Sequence, residues 1–295
     1  MNAKEIYDAV TQRYSSLGTN PLGAGYGRSV AQAFGYTKED LDSIPTESNL
    51  GLSCGNPLAI ASLREGEIVI DLGSGAGFDV FLAARAIGPT GRAVGVDMNK
   101  ARCQNIVDVY QARLLTLSQD MLELADKNKN KSGANNVDFI EARITDIPLD
   151  DGVADVIMSN CVVNLVPEDE KQLVFNEMFR LLKPGGRVAL SDILARKPLP
   201  EGLQKSVAAY VGCIAGASLV AQYEEYLGKA GFSDVLIKDA QNDLNVYIDA
   251  LPDDSKGDTA EIQTADADLA KLAADLQGVD LNEWVGSFKI FAVKN

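Results

Sequence analysis

The chain has 295 residues, 46% of them hydrophobic and 23% charged, close to the globular average, which excludes wholesale disorder and leaves room for a sizeable buried core. A formal net charge of −15 repels a phosphate backbone, so a nucleic-acid partner is excluded unless a local basic patch intervenes. No run of about 18 apolar residues appears, and the start MNAKEIYDAVTQRY carries acidic residues where a signal or transit peptide would not, so neither a membrane span nor a leader is expected and a cytoplasmic location is read.

In chain order, residues 1–62 read as a cap: an amphipathic N-terminal stretch, a Gly-rich link from Gly18 to Gly27, a short helix around Ser29 to Phe34, and the loop SNLGLSCGNP. From Ile68 the pattern changes to a buried apolar run, IVIDL, followed by a glycine turn, a helical period from Phe78 to Ile87, and RAVGVD as a second strand. Further strands are predicted at Val137–Glu141, Ala154–Ser159 and Gly186–Leu194, with a helix from Glu168 to Leu182 closed by the LKPGG turn. Beyond Pro198, helices are expected over 203–212 and over Leu219–Ala230, the second capped by Ser218 and stopped by Gly231. Val235–Lys238 and Ser287–Val293 then complete a sheet, and the polar, acidic stretch 253–278 between them reads as a solvated excursion. Short apolar strands alternating with helices predict an α/β fold: a doubly wound, mostly parallel sheet of seven strands. The core is assigned to 63–195, and 196–295 to a C-terminal helical and strand extension that helps bind substrate.

Chemistry concentrates first at IVIDLGSGAGFD. Asp71 stands at a strand end, and Gly73, Gly75 and Gly77 occupy the turn that opens a helix, where glycines let the backbone approach a ligand closely. A dinucleotide site prefers G-x-G-x-x-G, aiming helix N–H groups at a pyrophosphate. Here the spacing is G-x-G-x-G behind an acid, which suits a ligand bearing an ammonium and a carboxylate. Asp97 ends the second strand, where a carboxylate accepts ribose hydroxyls, and ARITDIP follows the third strand to bracket an adenine. A tight strand-to-helix connection with no ligand is the competing explanation for the turn alone.

From Leu63 to Leu194 these motifs resemble class I S-adenosylmethionine methyltransferases, whose fold is Rossmann-like. The resemblance implies a cofactor site made of Asp71, Gly73, Ser74, Gly75 and Gly77 at the methionine end. It assigns Asp97 to the ribose and the backbone of Ile144 and Thr145 to the adenine, and counts Met98 among the cofactor-binding residues. Asn160, beside Cys161, is a candidate for orienting the methionine end; an ordinary polar residue at a strand end is the other reading.

The acceptor site is read from cysteines in a chain with no histidine, which lacks the commonest general base near neutral pH. Cys54 lies in the cap loop, Cys161 just after the fourth strand and Cys213 in VGCIAGA, with no CxxC pair among them. Ligands of doubly wound sheets sit at the carboxyl ends of the strands beside the switch point, so Cys161 should lie near the transferable methyl. Free cysteine often merely packs, and that reading stays open. Three convergent thiolates would instead form a soft site matched to trivalent arsenic, whose lone pair attacks a sulfonium methyl with no proton to remove. The phrases NLGLSCGNP, DLGSGAGFDVFLAAR, SNCVVNL, LKPGGR and YVGCIAGA together resemble arsenite S-adenosylmethionine methyltransferases. Membership would imply that Cys54, Cys161 and Cys213 bind As(III). It would also imply that a thiol such as glutathione or thioredoxin delivers the metalloid and acts as reductant, and that successive transfers give methylated arsenicals.

One stretch departs from the family pattern. Deleting residues 101–119, which include Cys103, joins DMNK to DMLELADKN and restores the pattern, so this stretch is expected to be an insertion, and Cys103 to have no catalytic part. The alternatives are a methyltransferase of a small organic carbon or oxygen acceptor, and a metalloid-binding protein without turnover.

Overall fold

The computed structural model describes residues 2–19, 24–98, 120–200, 213–249 and 280–295. The expected insertion at 101–119 with Cys103, the helix expected over 203–212 and the acidic stretch 253–278 lie outside the described residues.

The cap holds helices α1 (Ala3–Thr19), α2 (Ala24–Ala33), α3 (Lys38–Asp42) and α4 (Leu58–Ala61). The core then runs β1 (Ile68–Leu72), α5 (Phe78–Ile87), β2 (Arg92–Asp97), α6 (Asp120–Ser132), β3 (Val137–Glu141), β4 (Ala154–Asn160), α7 (Lys171–Leu181) and β5 (Leu182–Ala195). After it come α8 (Val220–Ala230), β6 (Ser233–Asp239), α9 (Val246–Asp249) and β7 (Val285–Val293). The strands form one seven-stranded sheet in the order β3-β2-β1-β4-β5-β7-β6. The first five are parallel, and β7 enters antiparallel between β5 and β6. The chain order reverses between β1 and β4, so the crevice at their carboxyl ends is the switch point where such sheets bind ligands.

The sheet is covered on both faces, as its near-continuous apolar strands require. Ile70, Leu72, Val94 and Ile157 pack with α7 and α8 through Phe175, Met178 and Tyr223. The alternate residues Val69, Ala93, Val156 and Met158 pack with α5 through Val80, Ala83 and Ile87. A third cluster closes the carboxyl ends of the strands: Ile6 and Val10 of α1 and Val30 of α2 pack with Leu165, Ile193 and all three described cysteines. No helix among the described residues is long and apolar enough to cross a membrane.

Several local expectations are corrected. α2 begins at Ala24, inside the expected Gly-rich link; Gly27 fits there because a Cβ would stand 3.1 Å from the Asn49 carbonyl oxygen. α7 begins at Lys171, three residues after the expected start, and the Glu168 carboxylate ahead of it accepts from the Lys171 ammonium at 2.8 Å. LKPGG does not close the helix from outside but forms the head of β5, where the register to β4 slips between Ala154 and Val156. Ser218 does not cap α8. Leu219 holds that position, its N–H donating to Gln222 Oε1 at 2.7 Å, while Ser218 Oγ accepts from Lys171 Nζ at 2.7 Å.

Candidate active site

The turn after β1 holds Gly73, Gly75 and Gly77 at φ of +70°, +51° and +93°. Two of them are demanded by packing. A Cβ on Gly73 would stand 2.3 Å from Val162 Cγ2, and one on Gly77 would meet Phe81 at 2.7 Å and Phe139 at 2.8 Å. Gly75 differs: a Cβ there would meet nothing within 4 Å, and the residue lines an open cleft. The Gly75 N–H donates to Asp97 Oδ2 at 2.9 Å, fixing the acid at the end of β2 against the turn. Ser74 Oγ is buried without a hydrogen-bond partner among the described residues.

Asp71, Gly73, Ser74 and Gly75 line this cleft from the first turn, Asp97 and Met98 from the end of β2, and Ile144, Asn160 and Cys161 from the two strands on either side. Gly77 and Thr145 do not line it; Gly77 serves the packing of the turn and Thr145 is half-buried beside Ile144. Tyr7, Val10 and Tyr14 of α1 also line the cleft, with Tyr7 OH donating to Glu170 Oε2 at 2.6 Å and the Arg143 guanidinium 4.3 Å from the Tyr7 ring centroid.

Asp79, which the sequence reading passed over, also faces the cleft. Burial pushes its carboxyl up to about 6, against hydrogen bonds from Tyr36 OH at 2.6 Å and Asn160 Nδ2 at 3.0 Å. Burial also drives Asp71 well above the carboxylate range, reinforced by the nearby charges of Asp79 and Asp97. An acid buried among apolar neighbours at the start of FDVFLAARAI, whose other charged residue, Arg85, lies in the last turn, was the available signal for Asp79.

Asn160 ties the cap to the core. Its Nδ2 donates to the Gly55 carbonyl and to Tyr36 OH, both at 3.0 Å, and its Oδ1 accepts the Cys54 N–H at 3.2 Å. The Cys54 carbonyl accepts from Ser287 Oγ at 2.6 Å. The cap loop is thereby fastened to β4 and β7 with the Cys54 thiol facing inward, 3.6 Å from the Ser191 carbonyl oxygen.

Cys54, Cys161 and Cys213 are all buried, at 0%, 5% and 4% exposure, within one apolar cluster. The Cys213 thiol donates to the Cys161 carbonyl at 2.9 Å, and Tyr14 OH lies 3.9 Å from its sulfur. Cys161 and Cys213 take φ of +60° and +64°, a left-handed conformation uncommon outside glycine and one that clusters at functional sites. Burial pushes the Cys54 thiol up to about 12 and the Cys161 thiol well above its usual value; Cys213 is raised by its hydrogen bond with Cys161 and by burial. The sequence reading missed Asp192. One of its carboxylate oxygens and the sulfurs of Cys54 and Cys161 lie within 4.8 Å of one another.

Asp192 is held by Tyr223 OH at 2.6 Å, Asn164 Nδ2 at 2.9 Å and the Ile193 N–H at 3.0 Å, while burial pushes it up to about 7. Nearby, the buried Lys171 ammonium clamps the Gly216 carbonyl at 2.6 Å, just past Cys213. Asp79 and Asp192 are raised above their unfolded values, so the native state binds more protons than the unfolded chain at mildly acidic pH. Their burial therefore destabilises most above about pH 7, and the penalty lifts as pH falls toward about 5. The melting temperature is expected to rise by roughly 2–6 °C between about pH 8 and about pH 5.5. A melting series that falls steadily over that interval would contradict the assignment.

Residues 63–106 and 111–234 match a family model described as a methyltransferase domain. The chain is 40% identical over 232 residues to an arsenite methyltransferase of Halobacterium salinarum, covering 75% of this chain and 54% of that protein. It is 30% identical over 237 residues to an arsenite methyltransferase of Homo sapiens, covering 78% of this chain and 57% of that protein. The chain thus spans about half the length of these curated relatives. The crystal structure of an arsenic (III) S-adenosylmethionine methyltransferase from Chlamydomonas reinhardtii superposes with a TM-score of 0.55 at 25% identity, covering 90% of this chain and 73% of that chain.

Proposed function

Because the chain belongs to the methyltransferase-domain family, we propose that it transfers methyl groups from S-adenosylmethionine to trivalent arsenic held by Cys54, Cys161 and Cys213. The observation that carries this is the burial of three cysteines, remote in sequence, in one apolar cluster: the Cys54 and Cys161 sulfurs lie within 4.8 Å of each other, the Cys213 thiol is bonded to the Cys161 carbonyl, and Cys161 also lines the candidate cofactor cleft. Relatives named as arsenite methyltransferases support the same reading.

The cleft fits the cofactor. Gly75 leaves open space, Ser74 Oγ is buried without a partner, and no donor or cation among the described residues reaches the Asp71 carboxylate. Asp97 is the acceptor for ribose hydroxyls, Asp71 faces the ammonium, and Ile144 holds the adenine end. Bound there, S-adenosylmethionine supplies an electrophilic sulfonium methyl.

The raised thiols suit this metalloid. As(OH)₃ exchanges three hydroxyls for three neutral thiols and releases three waters, so no net proton leaves the site; a divalent metal would have to expel thiol protons. In the transfer the arsenic lone pair forms the As–C bond while the C–S pair stays on sulfur. No proton is abstracted from arsenic, and a chain with no histidine needs no general base for the step. Transfer oxidises arsenic by two electrons, and two equivalents of a small thiol such as glutathione, or a thioredoxin, return it to the trivalent state as they form a disulfide. A reducing, cytoplasmic setting keeps all three thiols available. The arrangement works by positioning, holding acceptor and methyl together in a site that excludes water.

The test is to incubate the purified chain with arsenite, glutathione and S-adenosylmethionine and to separate the arsenic species. Methylated arsenicals are expected. Arsenic that remains bound and inorganic on folded protein would instead identify a metalloid-binding protein, and absence of arsenic binding would favour an organic acceptor.

A further inference from the structure

Three carboxylates, Asp71, Asp79 and Asp97, are buried along the one cleft. Arg143 is the only basic side chain among its described lining residues, and it is engaged over the Tyr7 ring. Asp97 accepts the Gly75 N–H. Among the described residues Asp79 accepts from two neutral donors, Tyr36 and Asn160, and its place in the first turn of α5 adds the helix's partial positive charge. These stabilise its charge without cancelling it, and a buried carboxylate lacking a countercharge carries a large desolvation penalty. Asp71 has no donor among the described residues. The cleft is therefore built for a ligand with more than one positive centre.

The three acids differ in where they are tied. Asp97 is fastened to the glycine turn, whereas Asp79 is bonded to Asn160, the residue that accepts the Cys54 N–H and directly precedes Cys161. Among the three acids, Asp79 is thus the one joined to the thiol cluster. S-adenosylmethionine carries two cations, an ammonium and a sulfonium, and the sulfonium methyl has to face the thiols for transfer to occur.

We propose that Asp79 recognises the sulfonium charge and so makes the cleft discriminate methylated cofactor from spent cofactor. This rests on the reading that the cleft holds S-adenosylmethionine. Once the methyl has moved to the acceptor, the C–S bonding pair remains on sulfur, which becomes a neutral thioether. Asp79 then faces no charge, its attraction is lost, and S-adenosylhomocysteine is released more readily. Asp79 acts here as a specificity residue for the cofactor.

The experiment is calorimetric titration of the full chain, without arsenic, using S-adenosylmethionine, S-adenosylhomocysteine and sinefungin, which bears an ammonium-forming amine in place of the sulfonium. In the wild type, sinefungin should bind more tightly than S-adenosylhomocysteine, an arm that needs no variant. Asp79→Asn is expected to weaken S-adenosylmethionine by roughly ten- to hundredfold and S-adenosylhomocysteine by less than about threefold. Asp79→Glu should keep the preference. Equal weakening of both cofactors, or of neither, would overturn the inference, because a merely structural role shifts both alike; so would wild-type sinefungin binding no tighter than S-adenosylhomocysteine. Binding of none of the three by the wild type would sink the cofactor reading itself, an outcome distinct from loss of discrimination.

Discussion

Substitution of Cys161 by Ser is expected to lower arsenic methylation by at least about a hundredfold while leaving S-adenosylmethionine affinity within about threefold. Cys161 is the one described cysteine that both lines the cofactor cleft and lies in the sulfur cluster, with its own sulfur within 4.8 Å of Cys54 and Asp192. Serine is nearly isosteric, so the cleft and its acids stay in place. The change removes a soft donor and substitutes a hard one, which holds trivalent arsenic poorly. Cys54→Ser and Cys213→Ser should behave alike, and Cys103→Ser should keep full activity. Rates and cofactor affinity measured on the same preparations separate the two effects. A Cys161→Ser protein that methylates arsenic at the normal rate would remove the thiol site from the mechanism.

Gly73→Ala is expected to destabilise the fold by about 2–4 kcal/mol, the sum of left-handed backbone strain and overpacking. The added Cβ would stand 2.3 Å from Val162 Cγ2 at a φ of +70°. Val162 directly follows Cys161, so relief of that clash displaces the thiol as well, and methylation should fall further than stability alone explains. Gly75→Ala provides the contrast. Its Cβ meets nothing within 4 Å, so only backbone strain of roughly 1 kcal/mol applies to folding, while the methyl group enters the cleft and weakens cofactor binding. Trimming the obstacle in a Gly73→Ala, Val162→Ala double variant should restore part of the lost stability. Melting temperatures of the three variants decide it: Gly75→Ala melting below Gly73→Ala would show the turn to be packed differently.

Local patterning made much of this architecture readable. IVIDL, FDVFLAARAI and RAVGVD form β1, α5 and β2 with the boundaries that their apolar runs and flanking glycines predict, because each element carries its own start and stop. The end of α8 at Gly231, with φ of +104°, was legible for the same reason. Where side chains were claimed by distant partners, local logic failed. Ser218 looks like a helix cap, yet its hydroxyl accepts from Lys171, 47 positions away in the chain. The LKPGG turn is absorbed into β5 because the Gly185 N–H donates to the Lys294 carbonyl at 2.6 Å, a contact made only once the C-terminus has returned to the sheet.

The site divides along the same line. That Asp71, Gly75 and Asp97 share one cleft was legible because the glycine turn follows β1 directly and Asp97 ends the neighbouring strand β2. Asp79 and Asp192 were not, since each acquires meaning through partners from other elements: Tyr36 and Asn160 for the first, Tyr223 and Asn164 for the second. Nor does the sequence announce the left-handed backbone at Cys161 and Cys213, which tertiary packing imposes. Of the two residues chosen from ARITDIP, Ile144 lines the cleft and Thr145 does not, since neighbours in sequence need not share a face.

Arsenic K-edge X-ray absorption of the protein loaded with one equivalent of arsenite tests the convergence of the thiols most directly. Three sulfur neighbours are expected around arsenic in the wild type, and two in each of Cys54→Ser, Cys161→Ser and Cys213→Ser. Two sulfurs in the wild type, with no change on replacing Cys213, would contradict it and leave Cys54 and Cys161 as the only thiol ligands.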